Sequence, residues 1–208
     1  MIDDAAPPDS GLVDVVSFTA MEHGTAADYA LLDRHEREYA QGLAERLLHT
    51  LERLSDSMGG YRITRLEHSL QTATRARLDG ADVDWVVAAL LHDIGDELAP
   101  FNHSELAASI LQPYVREEVH WVVQHHGVFQ SYYFAHHLGG DRHARDRFAG
   151  HRWADLCAQF CAEWDQNSFD PDFPTQPLDS FADDLRAVFG REPWAREVIA
   201  AGPGRLVA

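Results

Sequence analysis

The sequence predicts an all-α fold, a single-domain helical bundle. Three observations carry this expectation. Apolar residues recur at three- and four-residue steps in one stretch after another. Capping residues and glycines separate those stretches, and no alternating strand pattern of useful length occurs anywhere. The 208 residues are enough for one self-sufficient core, with 45% hydrophobic and 25% charged side chains.

The elements follow in chain order. Residues 1–24 read as a lead-in, the bundle as 25–200 and the last eight residues, 201–208, as a tail. From Thr25 the pattern ALLDRHEREYAQGLAERLLHTLERL, with Leu43, Leu47, Leu51 and Leu54 in register, predicts one long helix or two in line. Gly59 and Gly60 end it, and RITRLEHSLQTATRARLDG predicts a helix stopped at Gly80. Asp82 or Asp84 caps a third helix, whose WVVAALL stretch is apolar all round and so belongs at the centre of the fold. Asn102 and Glu105 have capping-box spacing ahead of HSELAASILQ, and Pro113 is expected to start a helix that Gly127 stops. Two further helices are expected near 151–166 and 178–189, joined by the proline-rich DPDFPTQP.

Composition excludes several functions. Acids number 34 against 17 basic residues, a net charge of −17 that repels nucleic-acid backbones and anionic lipid. No apolar run approaches the roughly 18 residues needed to cross a bilayer. All 17 basic residues are arginine, so Schiff-base chemistry on lysine is ruled out. The acidic start MIDDAAPPDS lacks the blocks of a secretory leader, which makes the cytoplasm the expected location. A small-molecule substrate is expected, with no nucleic acid and no membrane as partner; the oligomeric state is not set by the sequence.

Histidine is the outlier, with 13 residues against two cysteines. His92-Asp93 stands at the end of the most apolar helix, where a buried carboxylate needs a cation beside it. His68 lies on a separate helix and shares a face with Thr64, Gln71 and Thr72. His103 opens another helix, His125-His126 lie at the end of VVQHH, and Asp165 adds an acid near the end of a late helix. Four histidines and two carboxylates form an N/O donor set suited to Fe, Mn, Zn or Ni and poor for Mg or Ca. Asp93 is the natural bridge of a dinuclear centre. Cys157 and Cys161 are read as core packing.

The order His68, His92-Asp93, His103, His126, Asp165 resembles the HD-domain superfamily. LEHSLQTA, LLHDIGD, NHSELAA, HHGVFQ and EWDQ, covering about residues 60–170, resemble its mixed-valent diiron oxygenase branch, which includes myo-inositol oxygenase and the HD-domain oxygenases of phosphonate catabolism. The resemblance implies an HD-domain bundle around two iron ions, Fe(II)/Fe(III), with O2 as co-substrate. His68, His92, Asp93, His103, His126 and Asp165 are then the ligands, with His126 preferred to His125. The implied reaction cleaves a C–P or C–C bond next to a hydroxyl-bearing carbon, giving a carboxylate and, from a phosphonate, phosphate.

Several positions depart from those relatives. Gln130 replaces a substrate-binding lysine, Ala162 replaces a phosphonate-gripping arginine, and Met58 and Tyr61 stand where a gating tyrosine and glutamate are expected. Asp96 takes the place of a substrate-contacting histidine and is assigned a catalytic role, orienting a metal-bound water or pairing with a cationic substrate group. Arg142, in a cluster with Arg145 and Arg147, is the candidate replacement anion-binding group, and its other reading is a solvated helix-stabilising role. Tyr39 or Tyr29 is the candidate gate. Gln71, Gln130, Tyr133 and Arg142 are the expected substrate contacts, with Phe129, Tyr132 and Tyr133 forming an aromatic wall or packing in the core. Aromatic groups beside Asp96 suit an ammonium group, which makes a 1-hydroxy-2-(trimethyl)ammonio-ethylphosphonate the model substrate. The rival reading is an HD-type phosphohydrolase, opposed by the scarcity of basic residues around the motif and by the lack of a Gly-Tyr-Pro signature after HDIGD.

Overall fold

The computed structural model describes residues 15–202 and 204–207. The chain divides into two compact units, residues 1–43 and 44–208. Among the described residues the structure is helical without strands, apart from one isolated bridge between Ala81 and Val207.

The first unit contains α1 (Ala26–Gln41). Thr25 caps it in a reciprocal box: its hydroxyl accepts from the Asp28 amide, and the Asp28 carboxylate accepts from the Thr25 amide at 2.9 Å. Ser17 donates to the same carboxylate, and Phe18 packs 5.6 Å from Tyr29. Hydrogen bonds from Thr25 and Ser17 hold Asp28 down at a pKa of about 2. The first 14 residues of the expected lead-in lie outside the described part.

The second unit opens with α2 (Leu43–Arg53), which buries Leu47 and Leu51 as its spacing predicts. The N-terminal pattern forms two helices rather than one, with the break at Gly42. Next come α3 (Arg65–Leu78), capped by a Thr64–Glu67 box, and α4 (Val83–Leu91), capped by Asp82. From Trp85 to Leu91 every residue of α4 is buried, so this helix is the axis of the unit. Then α5 (His103–Leu111), α6 (Glu117–Phe134) and α7 (Ala154–Phe160) follow, and α7 runs on through a π-helical turn, Cys161–Asp165. The helices α8 (Ala182–Phe189) and α9 (Arg196–Ile199) complete it.

Three boundary expectations are corrected. Asn102 makes no side-chain cap, because its backbone rather than its amide turns toward the helix; its carbonyl accepts from Glu105 and Leu106. Pro113 sits in the turn after α5, and α6 begins at Glu117. Gly127 does not stop α6, which continues to Phe134. A Cβ at Gly127 would meet Ser104 Oγ at 2.8 Å, so the glycine is there for close approach of α5 and tertiary packing overrides its poor helix propensity. The C-terminal residues are docked: Trp85 Nε1 donates to the Arg205 carbonyl, Glu118 accepts from the Gly202 amide, and Leu206 is buried.

Leu90, fully buried near the C-terminal end of α4, reports on this core. Leu90→Ala is expected to destabilise the protein by about 2–5 kcal/mol in a denaturant titration, whereas an equivalent truncation at exposed Leu98 changes stability by less than about 0.5 kcal/mol.

Candidate metal centre

Four helices and the end of α7 deliver the six predicted ligands to one buried place. His68 comes from the second turn of α3, His92 and Asp93 from the C-terminus of α4, His103 from the first position of α5, His126 from the middle of α6 and Asp165 from the π turn. All but His103 are almost completely buried.

The imidazoles are oriented from behind. His68 Nδ1 donates to the Ser168 carbonyl, His92 Nδ1 to the Ala89 carbonyl and His126 Nδ1 to the Val123 carbonyl, each at 2.6–2.8 Å. A neutral ring that donates through Nδ1 presents a lone pair at Nε2, so three Nε2 lone pairs face inward. His103 Nδ1 stands 3.5 Å from Asp96 Oδ1, which serves the same end.

Asp93 lies between two pairs of rings. Its Oδ2 is 3.2 Å from His68 Nε2 and 3.3 Å from His92 Nε2, while its Oδ1 is 3.2 Å from His126 Nε2 and 3.3 Å from His103 Nε2. Asp165 Oδ1 lies 3.4 Å from His68 Nε2 and accepts from Gln130 Nε2 at 3.0 Å; its Oδ2 is buried without a protein partner. Three overlapping groups could each hold a metal ion: His68-His92-Asp93, His92-His126-Asp165 and Asp93-His103-His126. The two facing Nε2 atoms of His68 and His92, 3.1 Å apart, and the orphaned Asp165 oxygen both fit a cation at the centre. The donor chemistry fits a borderline transition ion.

The electrostatics agree. Burial disfavours the charged form of His92, yet Asp93 and Asp165 outweigh it and raise its pKa to about 10. Burial opposes ionisation of Asp93 and Asp165 as well, and the surrounding imidazoles hold both below the usual carboxylate range. Without an ion the cluster therefore keeps protons on imidazole and negative charge on carboxylate.

A cavity of about 750 Å³ opens on these ligands. Gln130, Tyr133 and Asp96 line it as the sequence suggests. Gln71 does not: both ends of its amide are bonded to the backbone of Asp170, so it anchors the loop after the π turn. Arg142 is likewise outside the lining and lies 4.2 Å over the ring of Tyr132. Tyr39 sits exposed on α1 of the first unit. His125 turns away from the cluster, donating to the Trp121 carbonyl and stacking on that indole at 4.2 Å, so His126 is the residue in position.

Sequence reasoning missed Arg65. Its guanidinium is buried against Asp93, with which it is paired, and its Nε donates to Asp96 at 2.6 Å. The cation that Asp93 demands is thus partly supplied by protein, and Asp96 is an arginine partner before it is anything else. The signal was present: Arg65 precedes His68 by three residues, the spacing of one helix face. Phe169, stacked on His68 at 4.3 Å, and Tyr61, stacked on Phe169 at 5.0 Å, were also missed as a pair, since only the turn after Asp165 brings them together.

Metal loading must displace the protons held on His92 and its neighbours, so affinity is expected to rise with pH through the neutral range. Calorimetric titration of metal-free protein with Mn or Zn in two buffers of different ionisation enthalpy should reveal proton release, and equal heats in both would contradict it. A free ion at 100 times its Kd should add about 2.7 kcal/mol to the stability.

A comparison with curated proteins finds no match. Residues 65–167 match the family model described as HD domain. The match starts at Arg65 and ends two residues after Asp165, so it encloses all six candidate ligands. Residues 65–167 are thus similar to the HD domain, a family whose members are typically metal-dependent enzymes, and the helical architecture around them is compatible with that fold.

Proposed function

We propose that the protein is a mixed-valent diiron oxygenase that oxidatively cleaves the C–P bond, or a C–C bond, next to a hydroxyl-bearing carbon. The observation that carries the reading is Asp93, whose two oxygens face different pairs of imidazoles, as a carboxylate bridging two ions must. His68, His92 and Asp165 would hold one ion and His103 and His126 the other, with Asp93 shared between them. An Fe(II)/Fe(III) pair would supply the activation of O2 and the redox change.

The chain's own residues hold and shield the substrate. Asp56 and Glu97 bring negative charge, and Tyr61, Phe169 and Tyr133 bring aromatic faces to the cavity, a combination that suits a quaternary or primary ammonium group. Arg65 is the one arginine on the wall; with Nε on Asp96 and one Nη on Asp93, its remaining Nη is the donor for a phosphonate oxygen. Gln130 fixes Asp165 through Nε2, and its buried Oε1, unpartnered in the protein, can accept the proton of the substrate hydroxyl group in a hydrogen bond. Met58 and Tyr61 stand at the cavity wall. A 1-hydroxy-2-(trimethylammonio)ethylphosphonate matches these groups end to end. Its conversion with one O2 to the carboxylate and phosphate balances without an external reductant.

Arg65 also favours a second reading, an HD-type phosphohydrolase, because it places a cation where a phosphate ester would lie. Anaerobic loading with ferrous iron followed by limited O2 separates the two. The oxygenase gives a mixed-valent signal by electron paramagnetic resonance and releases phosphate from 1-hydroxyphosphonates only with O2. Cleavage of phosphate esters with Mn or Zn and no such signal would establish the hydrolase instead. Under the two-ion reading His126→Ala loses about one of two bound irons per chain by elemental analysis, whereas His125→Ala keeps both.

A further inference from the structure

Among the described residues most arginines with a structural role sit on carboxylates. Arg37, Arg53, Arg65, Arg77, Arg116, Arg186 and Arg191 each make at least one ion pair. Arg142 and Arg145 behave differently. Both are half-buried, neither has a carboxylate within ion-pair distance, and both guanidiniums lie over the same ring, that of Tyr132, at 4.2 and 3.8 Å from its centroid. Two like charges are thereby held no more than about 8 Å apart, the most these two distances permit. A π face attracts each cation without cancelling its charge. The adjacent acids make other contacts: Asp141 accepts the His143 amide at 2.8 Å, and Asp146 faces His143 Nδ1 at 3.4 Å.

Arg142 Nε is buried and has no acceptor in the protein. The pair is built into the fold, since the 3₁₀ turn Ala144–Phe148 that carries Arg145 packs on α6, which carries Tyr132. Desolvation, His137 and Arg142 together depress the pKa of His136, as expected of a locally positive region. In a chain of net charge −17 such a region is an exception, and an anion brought to it satisfies the orphaned donor and relieves the repulsion.

We propose that Arg142, Arg145 and Tyr132 form an anion-binding site, separate from the metal cavity, for a tetrahedral oxyanion of the phosphate or phosphonate class. Arg142 and Arg145 would each donate to the oxyanion, and the Tyr132 hydroxyl, with no hydrogen-bond partner among the described residues, would be a further donor. The site stands independently of the reading of the metal centre, because none of its three residues lines that cavity. Its ligand comes either from free phosphate or from the head group of an organophosphonate.

The test uses the metal-free full-length protein at low ionic strength, titrated with inorganic phosphate and separately with methylphosphonate by calorimetry. Arg142→Gln/Arg145→Gln is expected to weaken binding at least tenfold, Tyr132→Phe about threefold, and Arg186→Gln, at an exposed arginine on α8, less than twofold. Tighter binding of inorganic phosphate identifies a free-phosphate site, and tighter binding of methylphosphonate identifies a head-group site. Independently of any variant, the ligand should shift the Arg142 Nε–H resonance of the wild-type protein. Equal affinity in wild type and the double variant, an equal loss of binding in Arg186→Gln, or an unmoved Arg142 resonance would each overturn the proposal.

Discussion

The constraint on which the structure turns is the burial of Asp93. A carboxylate at the end of a wholly apolar helix is unfavourable unless several donors or cations meet it. Four imidazoles and Arg65 converge on its two oxygens from α3, the end of α4, α5 and α6. The arrangement of α3, α4, α5 and α6 is therefore the arrangement that solvates Asp93. The backbone carbonyls behind His68, His92 and His126 fix the tautomers, so the cluster is preorganised for ions rather than closed upon itself.

Close approach makes that convergence possible. A Cβ at Gly95 would lie 2.7 Å from the His103 carbonyl oxygen, and one at Gly127 would meet Ser104. These two glycines let the start of α5 lie against both the turn after Asp93 and the middle of α6, bringing His103 within reach of Asp93. On the opposite side the π turn adds one residue to the last turn of α7, with the Gln166 amide bonded to the Cys161 carbonyl. That extra residue sets the direction of Asp165, and Gln130 from α6 holds it there. Cys157 and Cys161, both buried, donate weakly to carbonyls of α6, in keeping with packing roles.

Charge is distributed with equal economy. Arginines neutralise buried acids: Arg65 of α3 at Asp93, and Arg116 and Arg191 together at Asp84. The cavity has one arginine among several acids, so a substrate that enters it as a pure polyanion meets repulsion, while one carrying both charges meets a partner for each. The uncompensated pair at Tyr132 lies apart from this cavity, on the stretch where arginines rest on aromatic rings instead of carboxylates.

Helical periodicity, the Asp82 cap and the apolar run of α4 were enough to predict an all-α bundle, because they are local properties of the chain. The six candidate ligands were legible for the same reason, as polar residues at the ends of apolar segments. What the local pattern did not contain was which neighbours those residues would meet. Gly127 reads as a stop signal because its partner, Ser104, is 23 positions away; Gln71 and Arg142 read as substrate contacts because their partners, Asp170 and Tyr132, come from other elements. Arg65 was overlooked although its spacing from His68 was visible, since its pairing with Asp93 and Asp96 spans about thirty residues. The amino-acid sequence by itself determined the helices and the kinds of donor available. Only the tertiary structure decided which donors share one charge, because burial and distance across separate helices are properties of the packed chain.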